Sequence, residues 1–330
     1  MNMKKGIGYI VLLILLGLTA SLKAQQLPLY SQYIYNGFMV NPAVAGYDGY
    51  TSFNTTARQQ WLGFGQAPRT FSASWQTRVL KQSYKIINRP VASDNRLKPS
   101  TRGRVGLGAY VINDVNANVA RTGISFTYAY HIFFRRQQLS FGLAGKAFQY
   151  RIDKDQLFFG TNGDPVMDGD FRTVAYSPDA DFGIHFYDPN YVVGFSISNL
   201  LQTSVKVGGN DIADFKTYRH YWLMGAYRFR ISDLFELEPG TLLKSPENWN
   251  PQGDFTVKLY VDEQFWGGLS YRTNNSMILL LGVRIEGLYF GYSFDWAFSE
   301  IGHFNYGSHE ITLSYKLGDN ARRYKWLDRY

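Results

Sequence analysis

The sequence predicts an all-β protein: a transmembrane antiparallel β-barrel of about 14 strands, with an N-terminal insert folded into its lumen. Three observations carry this prediction. Segments near ten residues long alternate large apolar with small or polar side chains. The 330 residues include 25 Tyr, 24 Phe and 32 Gly but only 11 Pro, a balance that suits strands with aromatic faces joined by tight turns. Beyond the first two dozen residues, no stretch reaches the roughly 18 consecutive apolar residues of a membrane-spanning helix.

The composition closes off other classes. With 45% hydrophobic and 18% charged residues, the chain is neither disordered nor a coiled coil. It contains no cysteine, so a disulfide framework or a thiolate metal site is impossible.

At the amino terminus, Lys4 and Lys5 precede an apolar run over residues 7–18, and Leu22, Lys23 and Ala24 supply a small residue just before Gln25. This is the layout of a secretory signal peptide, with the mature chain expected to begin at Gln25 or Gln26. Removing the three leader lysines from 34 Lys+Arg, against 26 Asp+Glu, leaves a net charge of +5. That mild excess gives no argument for nucleic acid. The expected organisation is a leader over residues 1–24, a plug-like segment over 25–48, a barrel over 49–318 and a basic tail over 319–330.

Residues 25–48 are rich in aromatic, Asn and Pro residues but lack sustained periodicity, which reads as a packed insert, the alternative being an ordinary periplasmic leader strand. A barrel of this width encloses an aqueous channel unless something fills it, and about twenty residues folded inward would do so.

The strand pattern follows. Ile124, Phe126, Tyr128, Tyr130 and Ile132 alternate with Gly123, Ser125, Thr127, Ala129 and His131. Leu288, Phe290, Tyr292, Phe294 and Trp296 alternate with Tyr289, Gly291, Ser293 and Asp295, and Ile311 to Leu317 repeat the pattern. Similar segments lie at 50–58, 70–78, 104–112, 138–148, 179–187, 191–198, 219–230, 234–244, 254–262, 265–272 and 277–286. Alternation alone also fits a soluble sandwich. Segment length, strand number and the aromatics Tyr130, Tyr227 and Trp296 at segment ends favour the barrel.

Parity orients it. The first strand starts in the periplasm, so connections after even-numbered strands face the periplasm and should be short. Those at 188–190, 231–233, 263–264 and 286–287 are tight, whereas 59–69, 149–178, 199–218 and 297–308 are long. One connection breaks the rule. Residues 79–103 follow the second strand yet are long, carrying Lys81, Lys85, Arg89, Arg96, Lys98 and Arg102 against Asp94 alone. The tail on the same side holds Arg322, Arg323, Lys325, Trp326 and Arg329. A basic surface with aromatic handles reads as a docking site for an acidic periplasmic partner, the bland alternative being a solvated charge run.

Little points to chemistry. The five histidines, His131, His185, His220, His303 and His309, are scattered without metal-site spacing. Asp164, Asp168 and Asp170 form a Gly-punctuated acidic loop that lacks the terminal Glu of a calcium loop. Ser308 and His309 are neighbours on a strand, so their side chains point to opposite faces and form no dyad. The sequence predicts no enzyme, no cofactor and no metal.

Pro28-Leu29-Tyr30-Ser31-Gln32-Tyr33, Asn41-Pro42-Ala43 with Ala45-Gly46, and Arg58-Gln59-Gln60-Trp61 with Gly63-Phe64 and Ala67-Pro68 resemble the N-terminal signature of the PorP/SprF-like outer-membrane proteins of Bacteroidota. Gly267 to Arg272, Gly291 to Asp295 and Gly307 to Ile311 resemble its C-terminal signature. The resemblance implies a non-catalytic barrel in the outer membrane of a Gram-negative bacterium, working with the type IX secretion system. It also implies partners: a large secreted surface protein bearing a type B C-terminal domain, such as an SprB-like adhesin, and periplasmic secretion or gliding components. Within that frame, Tyr30, Gln32, Tyr33, Asn41 and Pro42 are the signature residues of the lumen insert. Trp61, Phe64, Phe158, Phe159 and Phe304 are candidate outer contacts, and Lys81, Lys85, Arg89, Arg96, Arg322, Arg323 and Trp326 candidate periplasmic ones. The long basic connection and the tail depart from the family pattern. A second reading is a plugged transport barrel for lipid or other hydrophobic small molecules, similar to the long-chain fatty-acid transporters. It requires an apolar lumen path, whereas Lys146, Arg228, Arg284 and Asp295 are expected to point inward.

Overall fold

The computed structural model describes residues 30–33, 36–79, 104–134, 137–153, 174–207, 213–262, 264–273 and 275–317. Its strands are β1 (Thr51–Gln59), β2 (Arg69–Val79), β3 (Arg104–Asn116), β4 (Val119–Phe134), β5 (Gln137–Ile152), β6 (Val174–Tyr187), β7 (Tyr191–Ser198), β8 (Ser204–Val207), β9 (Ala213–Lys216), β10 (His220–Tyr227), β11 (Phe229–Arg230), β12 (Phe235–Pro246), β13 (Gln252–Val261), β14 (Phe265–Arg272), β15 (Ser276–Ile285), β16 (Leu288–Ala297) and β17 (Ser308–Leu317). β8 and β9 form a separate hairpin. β10 and β11 are one wall strand interrupted at Arg228, because both pair with β12 in a single register. In that register Tyr227 stands opposite Pro239, which has no N–H to donate, and the pairing breaks at the next residue; Arg228 N donates to Asn190 O at 2.7 Å.

Fourteen wall strands result. Each pairs antiparallel with its sequence neighbour in the wall, and β1 pairs with β17 from Thr51↔Leu317 to Gln59↔His309, which closes the ring. The expected strands are all present, and the alternation sorts as read. Ile124, Phe126 and Tyr128 face outward and exposed, while Ser125, Thr127 and Ala129 face inward and buried. No described helix is long and apolar enough to cross a membrane.

The two ends of the barrel differ. One, the turn rim, carries the start of β1, the end of β17 and the tight turns at 188–190 and 286–287. The other, the loop rim, carries 60–68, 199–219 and 298–307. Two loop-rim connections are nevertheless tight: β3 and β4 join through Ala117 and Asn118, and β14 and β15 join across 273–275. The sequence pattern predicts a third strand over 104–112 and leaves residues 113–122 outside the strands. They continue instead as a polar hairpin, with Asn113 Nδ2 donating to Thr122 Oγ1 at 2.7 Å. β4 also runs on to Phe134, so Tyr130 lies inside its strand, and Tyr227 likewise stands three residues before the end of the wall strand that Phe229–Arg230 completes, whereas Trp296 is next to the end of β16.

Candidate functional site

Inside the ring lie residues 30–33 and 36–48, with α1 (Gly37–Val40) and a 3-10 turn (Pro42–Val44). Their fold follows from their sequence. Asn41 Oδ1 accepts the Ala43 N–H at 3.0 Å, capping the 3-10 turn, and Pro42 supplies a fixed φ at its first position. Gly46 ends the turn at φ +67°, where a side chain would be strained, and an added Cβ would lie 2.7 Å from Thr77 O.

One side of this stretch is apolar. Tyr30, Phe38, Val44 and Ala45 pack against Tyr110, Ile112, Ala129 and Phe148 on β3, β4 and β5. Val40 meets Trp222 and Leu242. Burial pushes the Tyr30 and Tyr33 phenols above their ordinary range, so both stay neutral. Close approach to the wall depends on inward-facing glycines. A Cβ on Gly142 would stand 2.2 Å from Ala43 N, on Gly183 2.0 Å from Asn41 Oδ1, and on Gly106 1.9 Å from Ala45 O.

The other side is polar and charged. The Glu310 carboxylate accepts the backbone N–H groups of Ser31 and Gln32 at 2.8 and 2.9 Å, and Arg58 Nη1 at 2.9 Å. Arg58 also reaches Asp295 at 2.5 Å, Ser31 Oγ donates to Asp295 at 2.8 Å, and Arg272 bridges Asp254 and Asp295 at 2.8 and 3.7 Å. Farther along, Asn36 Nδ2 donates to Thr56 Oγ1 and Asn41 Nδ2 to Ile184 O, at 2.8 and 2.9 Å. His131 Nε2 donates to Ala45 O at 2.9 Å, and Arg78 Nε to Gly46 O at 2.8 Å. Lys316 pairs with Asp48 at 3.0 Å.

Two further ionic groups line the wall. Lys146 bonds Asp181 and Asn199 at 2.6 and 2.8 Å. Glu238 is shared by Arg228 and Lys258 at 2.5 and 2.9 Å. The inward placement expected for Lys146, Arg228 and Asp295 is therefore observed. Sequence reading quotes Arg58, Arg272 and Glu310 only within the signature segments and gives none of them, nor Asp254, a place in the lumen, although each is a charged residue on the small-residue face of its strand. A cavity of about 60 Å³ between Tyr30, Met39, Lys146, Phe148 and Trp222 has room for a handful of waters. No group of three or more His, Cys, Asp or Glu is placed to hold a metal among the described residues.

At the loop rim, 60–68 and 298–307 are joined. Leu62 N donates to Gly307 O and Tyr306 N to Leu62 O, both at 2.8 Å, and Trp61 N to Ser308 Oγ at 3.2 Å. The pair presents Phe64 and Phe304 exposed and Trp61 half-buried. Leu62, Tyr306 and Trp249 are exposed there too and were not singled out from sequence. Phe158, Phe159, Lys81, Lys85, Arg89, Arg96, Arg322, Arg323 and Trp326 lie outside the described residues, as do the leader and Asp164, Asp168 and Asp170.

The sequence matches the family described as type IX secretion system membrane protein PorP/SprF over residues 22–315. The chain belongs to this family. It is accordingly an outer-membrane barrel of a Gram-negative bacterium and part of the secretion machinery. No curated protein sequence matches it. Similar solved structures are also outer-membrane barrels. The Pseudomonas putida toluene transporter TodX aligns at 7% identity and TM-score 0.47 over 87% of this chain and 93% of its own. Omp33 of Acinetobacter baumannii aligns at 7% and 0.42 over 82% and 100%. A Pseudomonas aeruginosa FadL homologue aligns at 8% and 0.42 over 82% and 89%. At these values the likeness says nothing about substrate. Of the residues that carry the PorP/SprF signature, Tyr30, Gln32, Asn41 and Pro42 are buried in the lumen and Tyr33 is half-buried.

Proposed function

We propose that this PorP/SprF protein is a non-catalytic adaptor of the type IX secretion system, with residues 25–48 acting as its lumen plug. Its loop rim faces the exterior and grips a large secreted surface protein with a type B C-terminal domain; its turn rim and basic segments engage periplasmic secretion or gliding components. The observation that carries this reading is the stretch from Tyr30 to Asp48, hydrogen-bonded to wall residues around the ring in a family assigned to secretion. A barrel filled this way is suited to holding loops in place rather than passing solute. Transport of hydrophobic molecules is the weaker reading, because it requires an apolar path and the described lumen is lined by Arg58, Asp254, Arg272, Asp295 and Glu310.

The test is purification from outer membranes in mild detergent, with a tag after Gly318. The expected result is co-purification of a very large secreted protein; recovery of the barrel alone would refute the adaptor role. The double substitution Phe64→Ala and Phe304→Ala should weaken that co-purification at least tenfold, since two exposed aromatic anchors carry roughly 1–2 kcal/mol each or more in an interface. The barrel should remain folded, because both side chains are exposed at the loop rim.

A further inference from the structure

We propose that the cavity where the insert meets β3, β5 and β10 is a receptor site for a carboxylate carried on a small apolar group, with Arg121 as the residue that grips it. The adaptor role does not require this site, so the two readings stand or fall separately.

Arg121 differs from other cations of the lumen. Arg58, Lys146, Arg228, Lys258 and Arg272 each meet a carboxylate. Arg121 lies on β4 opposite Asp114, two rungs from the β3–β4 turn. Asp114 accepts the Thr70 hydroxyl at 2.6 Å and forms no ion pair with Arg121. What holds Arg121 is stacking. Its guanidinium carbon stands 3.7 Å from the centroid of the Phe148 ring, with the Tyr150 ring at 5.7 Å. The Phe148 ring in turn lies over Gly123, where an added Cβ would meet it at 2.2 Å. The stack is therefore built into two adjacent strands. Arg121 Nε is buried and donates to no acceptor among the described residues. A buried donor in that state is costly, and an incoming acceptor recovers the cost.

The cavity supplies the rest of the site. It holds about 60 Å³ and is lined by Arg121, Phe148, Ile112 and Trp222 on the wall and by Met39 and Val40 on the insert. A guanidinium lying flat on a ring presents its N–H groups in one plane, which the two oxygens of a carboxylate match. Lys244 stands over the Trp222 ring, 5.3 Å from its centroid, and within electrostatic reach of Arg121. Lys146 lines the cavity too, its charge answered by Asp181. The balance at Arg121 thus favours an anion. The apolar walls accept the few carbons next to a carboxylate, whereas phosphate or sulfate needs donors on several sides. Two carriers share this chemistry: a free short-chain acid and the carboxyl terminus of a polypeptide.

The test uses the full-length barrel, folded in mild detergent, at fixed ionic strength. Trp222 reports on the cavity by its fluorescence, and Trp222→Phe is the blank against the other tryptophans. The probes are propionate, propionamide, and the tripeptide Gly-Gly-Ala with a free or an amidated carboxyl end. Both carboxylates should change the Trp222 signal saturably and both amides should not. Arg121→Gln should weaken binding at least tenfold, as expected for loss of a hydrogen bond between charged groups, while Arg284→Gln at the turn rim leaves it unchanged. Arg121→Lys, which keeps the charge and loses the planar fork, should fall between them and serves if Arg121→Gln loses the heat-dependent gel shift of a folded barrel. Tighter binding of the free tripeptide than of propionate assigns the site to a chain end, and the reverse order to a free acid. No saturable signal, equal binding of the amides, or wild-type affinity in the folded Arg121 variants would overturn the proposal.

Discussion

Glu310→Ala isolates the anchor that holds the start of the insert. The wild-type carboxylate is fully buried and accepts three hydrogen bonds, from Ser31 N, Gln32 N and Arg58 Nη1. Truncation leaves Arg58 with Asp295 and Ser31 as its remaining partners here and removes the acceptor from two adjacent backbone N–H groups. Breaking a buried ion pair costs about 3–5 kcal/mol, and each orphaned buried N–H about 1–3 kcal/mol. These effects share one site and overlap, so the joint loss is about 5 kcal/mol, or a shift of between three and four decades in the ratio of displaced to seated amino end. The apolar contacts of Phe38, Val44 and Ala45 are untouched, so the deeper part stays seated. Residues 25–48 contain no Lys or Arg but include Tyr30, Tyr33 and Tyr35. Limited chymotrypsin digestion of the folded protein therefore reads the change, with terminal sequencing of the product. The variant should be cut at these tyrosines while retaining the electrophoretic shift on heating that marks a folded barrel; Glu310→Gln, which keeps one acceptor, should be intermediate. Protection equal to wild type in a folded Glu310→Ala barrel would refute the anchor.

Gly142→Ala should unseat the 3-10 turn without opening β5, because its Cβ would meet the backbone of Pro42 and Ala43 at 2.2 Å with no flexible side chain to yield. Raised single-channel conductance in planar bilayers checks it, and a quiet, protected variant would contradict the close approach. Arg228→Met leaves Glu236 and Glu238 with Lys258 as the nearest cation, so the temperature of barrel unfolding on heated gels should fall, by the equivalent of about 3–5 kcal/mol. Adding Glu238→Leu should recover part of that loss, since removing both members of a buried pair is less harmful than removing one.

The wall was legible because lipid on one face and a polar lumen on the other impose a period of two on every strand, and this survives even where a single strand is short. The reading failed where that contrast lapses. The β3–β4 hairpin above Ile112 is largely polar, and β8 and β9 form a hairpin of their own in a connection that lies against β6 without joining the wall. The insert was recognisable as non-periodic, but its partners were not. Nothing local to Glu310 says that it meets Ser31, 279 residues away, and the glycines at 106, 142 and 183 look like any small residue on an inward face. Asn41 and Pro42 were visible as a motif, yet their need for those glycines exists only once the ring has closed.

The charges of the lumen bear on what the barrel does. Selective pores line their constrictions with rings of one sign, so that an entering ion replaces its hydration with protein groups that have no other partner. Here both signs occur and satisfy each other. Arg58 and Arg272 lie among Asp254, Asp295 and Glu310, Lys146 is matched by Asp181, and Arg228 and Lys258 converge on Glu238. The excess carboxylate of the first cluster accepts two backbone N–H groups of the insert. Withdrawing the insert would thus uncover a carboxylate that has lost two of its donors, at a cost that opposes opening. The charges that make the lumen polar also hold the start of the insert, and this fits the proposed barrel that holds its loops better than one that conducts.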